Sequence, residues 1–477
     1  MARRQFASIF LDRRSAVSLQ DQLSFDLKQR IQTGVLKAGD ELPSSRELAN
    51  ELRVSRNTVI AAYDRLLGEG YLDALARSGV YVSSALQDMP QAPVIPTNRG
   101  ILKTTSDRIA VPTLAGPLAF RPSQPDVRLF PVGVWNRMRN RAMRRFGSAI
   151  LHYQSKHSLG LPVLRQALAE YLVNSRGVRC HWSQIAITTG SQQALYLLGQ
   201  LLLKRGDTVL IEDPGYIGAR SAFERTGARL RGMEVDVQGV VPPKRAARAK
   251  LIYTTPSRQF PTGACLQVSR RMAMLEFAKS AGAWLIEDDY DSEFRYSRPP
   301  MPSLRGLDAS GRVIYVGSMS KVLYPSLRIG YVVLPDELVS SFESLRLIVE
   351  DHGPLIDQAT LAEFLSSGAF YTHVRRCRKM YAARLETFLG AATKCRLPLE
   401  FPFTDGGMNQ AGFFANPEVD AKWVEAAIEQ AGLFVPSMSR YSLRPSRPGL
   451  LFGFTAFDHA MIRSSMSTVG RVLAKIE

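Results

Sequence analysis

Lys321 is the residue in this chain best placed for covalent chemistry. It follows a short apolar run (residues 313–316) and the small polar sequence Gly317-Ser318-Met319-Ser320, and a second apolar run closes the unit at residues 329–334. A lysine between two buried strands loses hydration, which lowers its pKa and favours the neutral amine that condenses with an aldehyde. Ser-x-Ser-Lys alone fits an ordinary surface loop equally well, so the chemistry has to be read from its company. Residues 188–193 (Thr-Thr-Gly-Ser-Gln-Gln) join a strand to a helix and offer backbone N–H groups to an anion, or form a plain turn. Residues 212–216 (Glu-Asp-Pro-Gly-Tyr) put Tyr216 at a strand end, suited to stack on a flat ring or simply to pack. Residues 254–263 form a turn-rich loop, and residues 287–290 (Glu-Asp-Asp-Tyr) end a strand with adjacent carboxylates, only one of which can face a site.

Together these stretches match one chemistry. A pyridine aldehyde phosphate needs an amine to hold it, a carboxylate at its ring nitrogen, a hydroxyl at its phenolic oxygen, an aromatic ring on its face and a cup for its phosphate. Lys321, Asp288, Tyr290, Tyr216 and the Gly190/Ser191/Gln192 turn supply these in order, with Ser318, Ser320 and Arg328 available to complete the cup. The set predicts pyridoxal 5'-phosphate as cofactor.

The elements that must position these residues alternate between strand and helix patterns from about residue 163. Residues 185–188, 209–212, 250–253, 284–287 and 313–316 read as strands, and residues 164–172 and 191–203 as helices. That alternation predicts an α/β domain over residues 119–477 with a mostly parallel sheet, whose ligands sit at the carboxyl ends of strands.

The first 85 residues follow a different pattern. Leu19, Leu23, Leu27 and Ile31 recur every four residues, and Gly34 stops that helix. Ser44 and Glu47 have the spacing of a capping box before Leu48 and Leu52. Ser55 caps a third helix with apolar positions Val59, Ala62, Tyr63, Leu66 and Leu67, and residues 71–82, with Ser78-Gly79 in the middle, read as a hairpin. This order predicts a winged helix-turn-helix whose third helix enters the major groove by Ser55, Arg56, Asn57 and Thr58, with Arg46 on a phosphate. The same pattern also fits a small helical interaction module. Between the two domains, residues 86–118 hold Pro90, Pro93, Pro96, Pro112 and Pro117 and predict a semi-rigid connector.

Composition sets the bounds. At 477 residues, 45% of them apolar, the chain suits more than one globular domain. No apolar run is long enough to span a membrane, and residues 6–11 are too short and polar for a signal-peptide core. Four scattered cysteines suit reduced thiols in a cytoplasm, and the six histidines show no metal-ligand spacing. The formal charge of +18 suggests a polyanionic partner, yet residues 1–85 carry only +2 of it. The rest gathers at Arg137, Arg139, Arg141, Arg144 and Arg145, at Lys244, Arg245, Arg248 and Lys250, and at Arg375, Arg376, Arg378 and Lys379, as solvated helix faces or as extra phosphate contacts.

Residues 36–49, 54–59 and 62–66 closely resemble the GntR-type winged helix. There the resemblance implies DNA contacts for Arg46, Arg56 and Thr58, and a minor-groove approach for the wing glycine Gly79. The large domain resembles the fold-type I aminotransferases through His152-Tyr153-Gln154, Thr189–Leu195, Pro214-Gly215-Tyr216, residues 287–296, Ser320-Lys321 and residues 325–331. The joined architecture resembles the MocR-type regulators, a GntR-like head on an aminotransferase-like body with a small α+β C-terminal subdomain. The resemblance implies Lys321 as the Schiff-base lysine, Asp288 at the pyridine nitrogen and Tyr290 at the phenolic oxygen. It further implies a homodimer with each head swapped over its partner's body, reading two half-sites of a double-stranded DNA operator.

Three positions depart from the resembled pattern: Phe260 stands where aminotransferases carry Asn, and Arg258 and Asn409 stand where MocR-type chains often carry His. No arginine lies in the final apolar strand, which leaves Arg440 as the foremost candidate for an effector acid group and Arg444 and Arg447 as rivals. These departures cluster where an effector would be read, so Arg440, Arg258 and Phe260 are the expected effector-contacting residues. The resulting expectation is a transcription regulator that senses an amino-bearing small molecule by aldimine exchange at Lys321. A working aminotransferase that also binds DNA, and a DNA-binding protein whose body only dimerises, stand as alternatives.

Overall fold

The computed structural model describes residues 9–86 except 14, 16 and 76–78, and residues 118–475 except 154, 244–247 and 298–300. Packing divides the chain into two compact units, Met1–Ala115 and Gly116–Glu477. Nearly all of the expected connector, together with Ser78, Gln154, Lys244 and Arg245, lies outside the described residues.

In the first unit, helices α1 (Leu19–Gln32), α2 (Ser45–Leu52) and α3 (Arg56–Gly68) each begin at a serine. Ser18 accepts from the Asp21 N–H, Ser44 and Glu47 form a reciprocal capping box, and Ser55 accepts from the Thr58 N–H. Left-handed Arg53 turns α2 into α3. Leu23, Leu27, Leu48, Val59, Ala62 and Leu66 form the core between the three helices. Strand β1 (Glu41–Leu42) joins the hairpin β2 (Leu72–Leu75) and β3 (Gly79–Val82) in the order β1–β3–β2. A two-residue strand carries too little periodicity to be read from sequence.

The second unit is built on an eight-stranded sheet of β4 (Ile185–Thr188), β5 (Thr208–Asp213), β6 (Arg229–Asp236), β7 (Gly239–Val240), β8 (Leu251–Thr254), β9 (Trp284–Asp289), β10 (Val313–Ser318) and β11 (Gly330–Val333). Its order is β4–β11–β10–β9–β8–β5–β6–β7. The sheet is mixed: β10, β9, β8, β5 and β6 pair in parallel, whereas β11 runs against both β10 and β4, and β7 against β6. Alternate side chains go to opposite faces. Ile286, Ile314 and Val316 pack under the helices Ser191–Leu202, Ile217–Glu224 and Asp336–Val349. Tyr315, Tyr331 and Val333 pack under Pro162–Arg176 and the long helix Ala369–Lys394.

The C-terminal part adds an antiparallel sheet of β12 (Leu399–Glu400), β13 (Asn409–Phe414) and β14 (Gly449–Gly453), covered by the helices Ala421–Gln430 and His459–Leu473. Residues 118–126 run along this subdomain as a strap. Phe120 is fully buried against Phe388 and Phe452, and the Phe120 carbonyl accepts from the Gly453 N–H at 2.8 Å. Among the described residues, no helix is long and apolar enough to cross a membrane.

Candidate cofactor and effector site

A cavity of about 260 Å3 opens at the carboxyl ends of the central strands, lined among others by Ser191, Tyr216, Tyr253, Asp288, Tyr290 and Lys321. Strand alternation explains why one carboxylate of the adjacent pair reaches it. Asp288 shares its face with Trp284 and Ile286, so it points to the Ser191–Leu202 side of the sheet. Asp289 points the other way, where it pairs with Arg176 at 2.6 Å and accepts from Tyr315 at 2.6 Å. Asp289 is therefore paired within the fold and not solvated, and Glu287 accepts from the backbone N–H groups of Leu304 and Arg305.

Asp288 is buried, and its Oδ2 accepts from the Tyr253 hydroxyl at 2.7 Å, while Oδ1 has no hydrogen-bond partner. Burial pushes its pKa up to about 7, against the Tyr253 hydrogen bond, which lowers it. Across the cavity, the Lys321 Nζ donates to the Ser123 carbonyl at 3.1 Å. Burial lowers the Lys321 pKa, Asp291 opposes this, and the charges of Arg328 and Arg121 add to the lowering. Ser123 itself is clamped by Asn409: its N–H donates to Asn409 Oδ1 at 2.6 Å, and Asn409 Nδ2 donates to its Oγ at 3.1 Å. This clamp holds Ser123 at φ 60, a backbone region unusual for serine.

The phosphate-cup candidates gather at the start of the helix Ser191–Leu202. No side chain caps that terminus, so its first N–H groups remain available to an anion. Arg328 donates to the Thr189 carbonyl at 2.9 Å, and its guanidinium lies 3.0 Å from where a Cβ on Gly190 would stand, so only glycine at φ 84 fits there. The Ser320 Oγ is buried without a partner, and the Ser318 Oγ accepts from the Ser320 N–H at 3.3 Å. Gln192 turns aside, donating to the Gly218 carbonyl at 2.9 Å and accepting from Tyr216 at 3.2 Å.

Phe260 meets Tyr216, Tyr290 and Tyr441 edge to face, with ring centroids 5.9, 5.9 and 5.2 Å away. Its loop is pinned by buried Glu212, which accepts from Thr254, Thr255 and Gln259. Arg258 does not line the cavity. It is buried, donates to Thr404 and to the Asn409 carbonyl, and stands 3.5 Å from Asp291. Its guanidinium occupies the place where a Cβ on Gly407 would fall.

Arg440 is not among the residues that line the cavity. Its guanidinium pairs with Glu425 of the helix Ala421–Gln430 and is turned from the cavity, which its neighbour Tyr441 lines instead. The rivals are also committed, Arg444 to Asp213 at 2.9 Å and Arg447 to Glu400 at 2.5 Å. Sequence reading missed Tyr253, Arg121, Ser123 and Phe434. Tyr253 lies on β8 opposite Ile286 of β9, a register that no spacing within one strand reveals.

These residues fit pyridoxal phosphate. An unpaired buried carboxylate oxygen can accept a pyridinium N–H, an amine of lowered pKa enters the same cavity, and an uncapped helix terminus with Arg328 and an unpartnered Ser320 hydroxyl suits a phosphate.

In the head, Arg46, Arg56 and Asn57 are exposed and Thr58 is half-buried at the start of α3, with Arg56 Nε donating to Ser45 at 3.1 Å. Ser55 is spent on its cap, within 2.8 Å of the Thr58 hydroxyl. Gly79 has φ 118, and a Cβ there would lie 3.1 Å from Glu41. In the body, Arg137, Arg139, Arg141, Arg144 and Arg145 are exposed along one helix (Val132–Phe146), where Arg141 and Arg145 both engage Glu363.

Comparison with known proteins gives the same two parts. Residues 19–82 match the family of bacterial regulatory proteins of the gntR type, and residues 141–451 match the aminotransferase class I and II family. The chain is 35% identical to the probable rhizopine catabolism regulatory protein MocR of Rhizobium meliloti, across 98% of this chain and 96% of that one. It is 34% identical to the HTH-type transcriptional regulator TauR of Rhodobacter capsulatus, across 98% and 99% of the two chains. Among solved structures, a kynurenine aminotransferase from Pyrococcus horikoshii superposes with a TM-score of 0.70 at 25% identity, over 76% of this chain and 92% of the other. The α-aminoadipate aminotransferase LysN from Thermus thermophilus gives 0.69 at 27%, over 76% and 93%. The chain belongs to the MocR-type regulators, HTH-type transcriptional regulators that join a GntR-family winged helix to an aminotransferase-like body.

Proposed function

We propose that this regulator holds pyridoxal phosphate in the body and changes its hold on operator DNA when an amine takes the place of Lys321. Bound pyridoxal phosphate supplies an aldehyde that combines reversibly with primary amines. In this reading Asp288 keeps a proton on the pyridine nitrogen through its free Oδ1, and Tyr253 orients that carboxylate. Tyr290 serves the phenolic oxygen, Tyr216 the ring face, and Ser191, Ser318, Ser320 and Arg328 the phosphate. Gly190 leaves room for the Arg328 guanidinium, and Gln192 steadies Tyr216. Lys321, whose pKa burial lowers, is the group an effector amine displaces, and its alternative partner is the Ser123 carbonyl.

The observation that carries the reading is the unpaired, buried Asp288 Oδ1 in the cavity that Lys321 enters. Phe260, at the position where an aminotransferase carries Asn, and the ion-paired Arg440, Arg444 and Arg447 favour sensing over efficient turnover. An effector must bind the two DNA-binding states with different affinity to act at all. Arg46, Arg56, Asn57, Thr58 and Gly79 are the proposed DNA contacts, in a cytoplasmic homodimer with each head placed over its partner's body and two half-sites read together.

Absorption spectroscopy on the purified protein tests the reading. Added pyridoxal phosphate should give a visible band that amines shift, and Lys321→Ala should lose both the band and the shift. A protein that takes up no cofactor would support the scaffold reading. Steady multiple turnover of an amino acid with a keto acid would support the working aminotransferase.

A further inference from the structure

The cations around the cavity differ in what they already hold. Arg258, Arg440, Arg444 and Arg447 are all committed to carboxylates or carbonyls within the fold. Arg328 is occupied beside Gly190. Arg121 lines the cavity, and among the described residues no carboxylate pairs with it. Its guanidinium lies over the ring of Phe434, 5.3 Å from the centroid, and Phe434 lines the cavity too. Its charge is felt at the Lys321 amine, and both side chains line the same cavity.

The backbone that carries Arg121 is fixed. Its N–H donates to the Leu118 carbonyl at 3.1 Å, and its carbonyl packs so closely on β14 that a Cβ on Gly453 would fall 2.2 Å away. Asn409 clamps Ser123 two residues on, and the Thr455 hydroxyl donates to the Gln124 carbonyl at 2.6 Å. Arg121 therefore projects from a strap held at several points, which is what a reading residue needs. The neighbouring wall is apolar and aromatic: Phe260, Tyr441, Phe434, Ile217 and Pro122.

We propose that Arg121 reads an acid group on the effector, so that the effector is a small amine carrying a carboxylate or sulfonate on an apolar body. The proposal rests on the reading that an amine displaces Lys321 from pyridoxal phosphate in this cavity. The amine goes to Lys321's place, the acid pairs with the guanidinium by two charge-assisted hydrogen bonds, and the apolar body lies against Phe260 and Tyr441. The cavity of about 260 Å3 must also admit the cofactor, which limits the effector to a few heavy atoms beyond the amine and the acid. The side chain of Arg121 is exposed, so solvent screens the pairing and the acid adds about tenfold in affinity, at the low end for a charged hydrogen bond.

The test uses the full-length protein loaded with pyridoxal phosphate and matched probes: 2-aminobutyrate against propylamine, 4-aminobutyrate against butylamine, and taurine against ethylamine. Dissociation constants come from the shift of the cofactor's visible band. At least one acid-bearing probe should bind about tenfold more tightly than its acid-free partner. Arg121→Gln should bring that ratio near one while keeping the cofactor band and the melting temperature, and Arg440→Gln should leave the ratio alone. A ratio near one in the unaltered protein overturns the inference, as does a preference that survives in Arg121→Gln or is lost in Arg440→Gln. If no amine moves the band, the sensing reading falls and takes this inference with it; amines that shift the band without acid preference remove this inference alone.

Discussion

Replacing Asp288 with asparagine separates the proposed cofactor role from any structural one, because shape is nearly kept while the charge is lost. The carboxylate is buried, takes one hydrogen bond from Tyr253 at 2.7 Å, leaves Oδ1 unpaired and has its pKa pushed up to about 7. Without cofactor at pH 7 the group is thus close to half protonated. Ionising it fully at that pH therefore costs little. A pyridinium N–H on Oδ1 then adds a charge-assisted hydrogen bond of about 1.5–3 kcal/mol. Asp288→Asn should therefore weaken pyridoxal phosphate binding by about 1–3 kcal/mol, roughly 5- to 150-fold in Kd. The cofactor-free protein should melt at the same temperature or higher, since a costly buried charge has gone. Titrating the cofactor-free protein with pyridoxal phosphate at pH 7, alongside a thermal melt, measures both. Unchanged cofactor affinity would refute the reasoning, and so would a large fall in cofactor-free melting temperature, which would make Asp288 a structural anchor.

Other outcomes follow from the same structure. Asp288 and Asp291 both have pKa values raised to about 7 by burial, so the folded protein holds protons there that the unfolded chain has released above about pH 4. Their contribution to stability is greatest below the unfolded value and is lost as pH rises through about 7; buried His373, with a lowered pKa, runs the other way near pH 6.5. The melting temperature of the cofactor-free body should therefore fall between pH 6.5 and 8, and a rise would contradict these assignments. In the head, Arg56→Ala should cost about 1–3 kcal/mol of operator binding and relax base preference, whereas Arg46→Ala should weaken all sequences alike and reduce the salt slope by about one, as read by anisotropy at several salt concentrations. Ser44→Ala removes the capping box of α2 and should destabilise the head by about 1 kcal/mol, measurable as a shift of its denaturation midpoint.

The parts of this molecule that depend on local rules were legible in its sequence. The three serine caps, the helical spacing of Leu23, Leu27, Leu48 and Val59, and the apolar strand runs each follow from neighbours along the chain. Asp288 and Asp289 could be divided by alternation alone, although not the fact that the second is buried on Arg176. What was not legible depends on contacts between distant segments. Tyr253 reaches Asp288 only through the register of β8 on β9, and Arg121 and Ser123 enter the cavity because residues 118–126 lie along a subdomain formed some 300 residues later. Arg440 is a candidate because the final apolar strand holds no arginine, and its pairing with Glu425 of the preceding helix has no signature in the local sequence.

Control of DNA binding by the amine site at Lys321 is the property on which the proposed function turns. It is tested most directly by measuring the affinity of the cofactor-loaded protein for a DNA fragment selected from random sequence, with and without the amine that shifts the visible band most. The amine should change the affinity of the unaltered protein and leave that of Lys321→Ala unchanged, with both proteins binding the fragment in its absence. An equal response in Lys321→Ala would contradict it.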